Sequence, residues 1–366
     1  MKTTLLRFLM KRMLCLLLCA ALLLSFSACG TTQDNDSPDS AGTVEFLDSA
    51  GRTVTVPAEI TRIAPSGSVA QMILITLCPE LLVGLASSPS TAQRPYFPEE
   101  MMNLPAFGQF YGSKANLNME SLIAAQPQII IDLGDPKDSI REDMDMIEAQ
   151  TGIPTVFICA TLDELPAAYR ALGKLLGREA EAEERAAFVE KTLAMAEENR
   201  AKLADGDRKT VMFGTGPTGL ACNAKGSSQA DVIDLVGAVN AIRTDEISNR
   251  NGGTTVDLEQ VYVCDPDVIL LEPGGPYDDL ADGEWSALNA VKNGDYYEIP
   301  NLPYSWMSFP PSVNRVLGVW WLGNLLYPEL YDYDMVQIAQ EYYALFWHYD
   351  LSAEEAAAML SRSTMK

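Results

Sequence analysis

The chain contains one histidine, His348, among 366 residues. That removes a multi-histidine zinc or manganese centre and argues against catalysis by a histidine-based triad. A nucleophile elbow and an HExxH pair are also missing from the sequence. The residues still able to do chemistry are suited to holding a ligand. Ser66-Gly67-Ser68 follows an apolar segment and precedes a helical run to about Leu77. Ser68 is placed to cap that helix, and the bare N–H groups of a helix start attract anions or ligand carbonyls; capping alone is the simpler alternative. Phe110-Tyr111-Gly112-Ser113 offers a ring and unobstructed backbone in one loop, the bland alternative being an ordinary surface aromatic. Gly226-Ser227-Ser228 precedes a helical stretch containing Val232 and Leu235, where Ser228 can cap and face the ligand.

The segment Tyr304-Ser-Trp306-Met-Ser-Phe309-Pro-Pro-Ser312-Val-Asn-Arg315 is aromatic and stiffened by proline, and a helix is expected over 312–326. Trp306 on such a loop offers a large flat face at little entropic cost, with burial in the core as the rival reading; Phe309 stands beside it as a second contact. Arg315 can pair with an acidic group of a ligand or with the chain's own carboxylates. Gly214-Thr-Gly216-Pro-Thr-Gly219 matches the GxGxxG pattern, but Pro217 interrupts the turn and no helix follows at once. It reads as a strand and a loop, not a dinucleotide site.

The elements that position these residues alternate. Val44-Glu-Phe-Leu and Thr53-Val-Thr-Val flank Asp48-Ser-Ala-Gly51 as a β-hairpin. Short apolar strands at 62–65, 82–86, 128–133 and 155–160 are separated by helix-length segments, the signature of parallel βαβ units. Residues 178–203 lack Gly and Pro and are rich in helix formers, which predicts one long helix before the alternation resumes at 209–213. An internal repeat spans it. Asn118-Met-Glu120 to Pro127 and a strand matches Asp257-Leu-Glu259 to Pro266 and a strand, each copy reading as cap, helix, turn and strand. Two related lobes with a ligand cleft between them follow. Glu120 and Glu259 then lie on separate lobes, too far apart to act as an acid–base pair. The C-terminal aromatics Trp320, Trp321, Tyr331, Tyr333, Tyr342 and Trp347 fall at helical spacings and read as core; His348 reads as a surface or boundary residue.

Lys and Arg total 26 against 50 Asp and Glu, a formal charge of −24, so a nucleic-acid ligand is excluded on electrostatic grounds. Residues 1–28 carry a basic start, an apolar run from Met13 to Leu24 and small residues before Cys29, the pattern of a cleaved signal peptide, with an uncleaved anchor as the alternative. Cleavage there removes Lys2, Arg7, Lys11 and Arg12 and no acid, which takes the formal charge from −24 to −28. Residues 30–42 are polar and small, a flexible spacer. Cys78, Cys159, Cys222 and Cys264 lack CxxC spacing; an oxidising compartment permits disulfides, and Cys159 in an apolar run reads as a buried free thiol.

The hairpin GRTVTVPAEITRIAPSGS, the two Glu-to-Pro-to-strand units, the long helix and WSALNAVKNGDYYEIP together resemble the periplasmic binding proteins of ABC importers, in the branch serving iron–siderophores, haem and cobalamin. The surroundings of Cys29 resemble a lipobox, which implies a lipid on Cys29. The resemblance implies a class III periplasmic-binding-protein fold: an α/β chain of two Rossmann-like lobes, 43–177 and 205–366, joined by one helix over 178–204. It also implies that Ser66, Gly67, Ser68, Tyr111, Gly112, Ser227, Ser228, Trp306, Phe309 and Arg315 line the cleft, and that Glu120 and Glu259 dock onto arginines of a permease dimer served by ATPase subunits. The expectation is a monomeric, lipid-anchored extracytoplasmic binder with no resident cofactor and no chemistry of its own. A molybdate or tungstate oxyanion is the alternative ligand, and a surface hydrolase the rival from another class.

Overall fold

The computed structural model describes residues 42–112, 114–245 and 253–365. The signal peptide and Cys29 lie outside the described residues. Strands β1 (Thr43–Leu47) and β2 (Thr53–Pro57) pair antiparallel from Thr43 opposite Pro57 to Leu47 opposite Thr53. In β2 the two valines are buried and the two threonines exposed, the period of two that a half-buried strand requires.

The first lobe runs through β3 (Ile63–Pro65), α1 (Ser68–Leu77), α2 (Met119–Ala125), β4 (Ile129–Gly134), α3 (Ile140–Thr151), β5 (Thr155–Cys159) and α4 (Leu165–Leu176). Its sheet is parallel in the order β3, β4, β5, and the strands are almost wholly buried because helices cover both faces. Arg52, in the turn between β1 and β2, fastens the hairpin to this lobe. Its guanidinium donates to Asp48 Oδ2 (3.1 Å), Asp145 Oδ1 (2.7 Å), Glu148 Oε2 (2.7 Å) and the Thr155 carbonyl (2.9 Å). The strand expected at 82–86 does not form. Val83 N–H donates to Ile63 O, but Leu85 N–H donates to Pro105 O, so the segment changes partner midway and leaves only isolated bridges.

Helix α5 (Glu179–Lys202) extends about 36 Å at 1.5 Å per residue. The second lobe follows with β6 (Thr210–Thr215), β7 (Ala221–Cys222), α6 (Asp231–Leu235), β8 (Val239–Asn240), β9 (Thr254–Thr255), α7 (Leu258–Cys264), β10 (Val268–Leu271), α8 (Asn289–Asn293), β11 (Tyr296–Glu298), α9 (Asn314–Leu326), α10 (Met335–Tyr342) and α11 (Ala353–Met359). Its sheet runs β11-β10-β6-β7-β9, with β8 also paired to β6. The glycine motif at 214–219 turns β6 back into antiparallel β7 and enters no helix.

The repeat is structural. Asn118 Oδ1 accepts from Ser121 N at the start of α2, and Asp257 and Gln260 form a reciprocal capping box at α7. Both seven-residue helices end on a left-handed residue, Gln126 and Asp265, before the proline turn and the buried strand.

The C-terminal aromatics form core, as their spacing suggests. Phe188 of α5 packs on Trp320 and Phe346, with Trp320 Nε1 donating to Thr192 Oγ1 at 2.7 Å. Beyond α10, however, the chain also packs on first-lobe residues: Tyr343 on Tyr96, Trp347 on Phe97 and Phe346 on Tyr169. The tail of the 205–366 segment therefore bridges both lobes. His348 is exposed. All four described cysteines are free thiols, and Cys159 is only partly buried.

Candidate functional site

The walls of the cleft are loops at the carboxyl ends of the sheet strands, where an α/β sheet leaves its crevice. Two chambers open there. The larger, about 340 Å³, is lined from the first lobe by Ser68, Ser87, Ser90 and Gln93 and from the second by Asn301, Tyr304 and Ser305, without a charged side chain. The smaller, about 240 Å³, is lined by Gly67, Gln109, Tyr111, Asp132, Asp135 and Lys137, with Pro311 opposite. Ser68 and Phe309 belong to both chambers, so the two residues meet the ligand space from opposite lobes.

The first-lobe wall is organised around Asp132. An aspartate interrupts the apolar β4, and only 4% of it is exposed. Ser66 Oγ donates to its Oδ1, and Tyr111 OH donates to its Oδ2 at 2.6 Å. Phe110 N–H donates to Ser66 O, which draws the two loops together. Burial pushes the Asp132 carboxyl up to about 6, against the lowering pull of its two hydroxyl partners and Lys137. A Cβ at Gly67 would stand 2.5 Å from the side-chain amide of Gln109, which would have to swing aside. Ser68 is the first helical residue of α1 and not its cap. Gly67 holds the cap position and no side chain bonds the first turn, which leaves helix-start N–H groups toward the smaller chamber.

The second-lobe wall corrects the expectation for Trp306. Its ring is 2% exposed and sits in the core, because Trp306 N–H donates to Pro300 O and its backbone lies flat against Gly318 of α9. A Cβ at Gly318 would come 2.0 Å from Trp306 O, so helix and loop are pressed together and the indole turns inward. Phe309, 43% exposed, presents the ring that Trp306 does not. Ser305 and Ser308 both donate to Glu272, whose carboxyl is raised by burial.

Arg315 is 1% exposed and donates to Asp231 Oδ2 at 2.9 Å and to the Ser228 carbonyl. Of its two candidate partners the structure supplies the chain's own carboxylate. Burial lowers the guanidinium pKa and raises that of Asp231 to about 6. Ser228 does not cap α6, whose cap position is Ala230, and Ser227 is buried. Tyr111 is buried except where it lines the smaller chamber, and Gly112 is exposed. Glu120 and Glu259 are exposed on the first turns of α2 and α7.

Sequence reasoning missed Asp132, Gln93 and Lys137. A lone carboxylate in Ile-Ile-Ile-Asp-Leu-Gly was the available signal for Asp132, since a charge is rarely buried without a purpose. Gln93 and Lys137 sit in polar loops that carry no periodic signal. Among the described residues no group of three His, Cys, Asp or Glu side chains is gathered to hold a metal ion.

A family profile described as "Periplasmic binding protein" matches residues 79–302. The putative ABC transporter substrate-binding lipoprotein YhfQ of Bacillus subtilis is 26% identical over 226 residues, 56% of this chain and 66% of that protein, just under two thirds of its length. The molybdate-binding protein MolA of Haemophilus influenzae is 25% identical over 271 residues, 67% of this chain and 74% of its own. An ABC transporter solute-binding protein structure from Sulfurospirillum deleyianum superposes with a TM-score of 0.79 at 26% identity, covering 87% of this chain and 99% of that one.

Proposed function

The chain belongs to the periplasmic binding protein family, whose members bind solutes for ABC importers and are not enzymes, and from that premise we propose that it is the lipid-anchored receptor of such an importer. The observation that carries this reading is the cleft lined jointly by Ser68 of one lobe and Phe309 of the other. A ligand held between them favours the closed arrangement, and Glu120 and Glu259 then offer one exposed carboxylate per lobe to the permease. The anchor is the lipid on Cys29, a reading supported by the lipoprotein character of the Bacillus relative.

The lining favours a bulky metal chelate or a corrinoid that presents amide, amine or hydroxyl donors. One chamber is neutral and rich in hydroxyl and amide groups, and the other holds two carboxylates against one lysine. The second reading, a molybdate-type oxyanion, is favoured by the uncapped start of α1 and by the similarity to MolA. A thermal-shift panel of ferrioxamine B, haemin, cyanocobalamin, molybdate and tungstate decides. A rise in melting temperature with a chelate or cobalamin supports the first reading. A rise with the oxyanions alone supports the second, and no rise with any of them counts against both.

A further inference from the structure

A carboxylate fixes which hydrogen atoms the floor of the smaller chamber has to offer. An ionised Asp132 only accepts, and it has already taken the hydrogen of Tyr111 OH and that of Ser66 Oγ. A phenol carries one hydrogen, so the Tyr111 oxygen retains only lone pairs for anything entering the space that Tyr111 and Asp132 line together. The charge itself is felt strongly there, because Asp132 is almost wholly buried and little water stands between it and the chamber. Asp135 adds a second carboxylate to the same wall. The one cation, Lys137, is exposed, with its ammonium 4.5 Å above the Tyr111 ring.

Resting on the receptor reading above, we propose that Asp132 determines specificity: by holding the hydroxyl hydrogens of Ser66 and Tyr111 and contributing its own charge, it turns its wall of the chamber toward ligand N–H and O–H donors and against oxyanions, opposing the pull of Lys137 and the helix-start N–H groups of α1 on the same space. Burial and Asp132 both push the Tyr111 hydroxyl well above the ordinary phenol range, so it keeps its hydrogen and the bond persists. The groups acting on Asp132 are Ser66, Tyr111, Lys137 and, more weakly, Asp143 of α3. Asp132 takes up its proton near pH 6, so acidification below that point removes the exclusion.

The test is calorimetric titration of the full chain with two classes of probe, molybdate on one side and ferrioxamine B and cyanocobalamin on the other, at pH 7.5. Asp132→Asn keeps the shape while removing the charge and freeing a hydroxyl hydrogen. It is expected to bind molybdate at least tenfold more tightly than wild type and the donor-bearing probe at least tenfold more weakly. Tyr111→Phe, which leaves the charge in place, is expected to weaken the donor-bearing probe without the gain in molybdate. Sulfate titrated at pH 7.5 and 5.0 is expected to bind wild type more tightly at the lower pH and Asp132→Asn with a smaller pH response, Asp231 giving the same background to both. Unchanged or weaker molybdate binding in Asp132→Asn, or a sulfate pH response equal in the two chains, overturns the role of Asp132. Should neither ferrioxamine B nor cyanocobalamin bind wild type, the donor-ligand reading fails separately, and the molybdate comparison still judges Asp132.

Discussion

Gln93 Nε2 donates to the carbonyl of Pro303 at 2.8 Å, a direct bond between the first lobe and the second, 210 residues apart in the chain. Both residues line the larger chamber, so the bond ties its two walls together. Gln93→Ala removes one partly exposed hydrogen bond, for which about 1 kcal/mol is the expected scale. Amide hydrogen exchange across residues 301–306 is expected to rise in the variant with little change in melting temperature. Unchanged exchange would mean that the bond does not hold the lobes together.

Trp306 and Phe309 separate packing from recognition. Trp306→Ala empties a core site and should cost ~3–5 kcal/mol, read as a drop of many degrees in melting temperature. Phe309→Ala should leave melting nearly unchanged and weaken the cleft ligand by ~1–3 kcal/mol. The opposite pattern would exchange their roles.

Stability should respond to pH through Asp132. Its folded-state pKa, raised to about 6 from 3.8, means that the folded chain holds a proton the unfolded chain has released between those values. Stability from this group therefore falls as pH rises from about 4 to 6 and is level above that, by ~1–3 kcal/mol in all. Urea unfolding at pH 5 and pH 7 is expected to show a smaller loss in Asp132→Asn than in wild type. Equal losses would place the carboxyl in its ordinary range.

Glu120 and Glu259 occupy matching positions in the structural repeat. Each is exposed, so Glu→Ala should change stability by no more than ~0.5 kcal/mol. Ligand affinity should be unaffected, while ATP hydrolysis by the reconstituted importer should lose its stimulation, most severely in the double Glu→Lys variant. Full stimulation by that variant would remove these residues from the docking surface.

Cys29→Ala should move the protein from the membrane pellet to the soluble fraction without altering its melting temperature. A variant that still pellets would point to another anchor.

Much of this architecture is legible because it depends on local patterns. The Asn118 and Asp257 caps, the proline after each short helix and the Gly- and Pro-free run of α5 are short-range signals, and each became the element it announced. The site was less legible, because its decisive contacts are long-range. Nothing near Trp306 in sequence reveals that Gly318 presses the loop flat and turns the indole inward. The pairing of Arg315 with Asp231, across 84 residues, is equally invisible in an acidic chain with many candidate carboxylates. The strand expected at 82–86 failed for the same reason: its apolar residues fit a ladder, but its partners change from Ile63 to Pro105 halfway along.

The four bonds made by Arg52 also have a mechanical meaning. Described chain enters the fold at the hairpin, and Arg52 rivets that hairpin to α3 and β5 through Asp145, Glu148 and the Thr155 carbonyl. Tension on the segment ahead of Thr43 is thus delivered to the first lobe. The second lobe receives it through α5, the C-terminal aromatics and the Gln93–Pro303 bond. A pull from that end is met first by α3 and by β5 at the edge of the first-lobe sheet, elements whose residues line neither chamber.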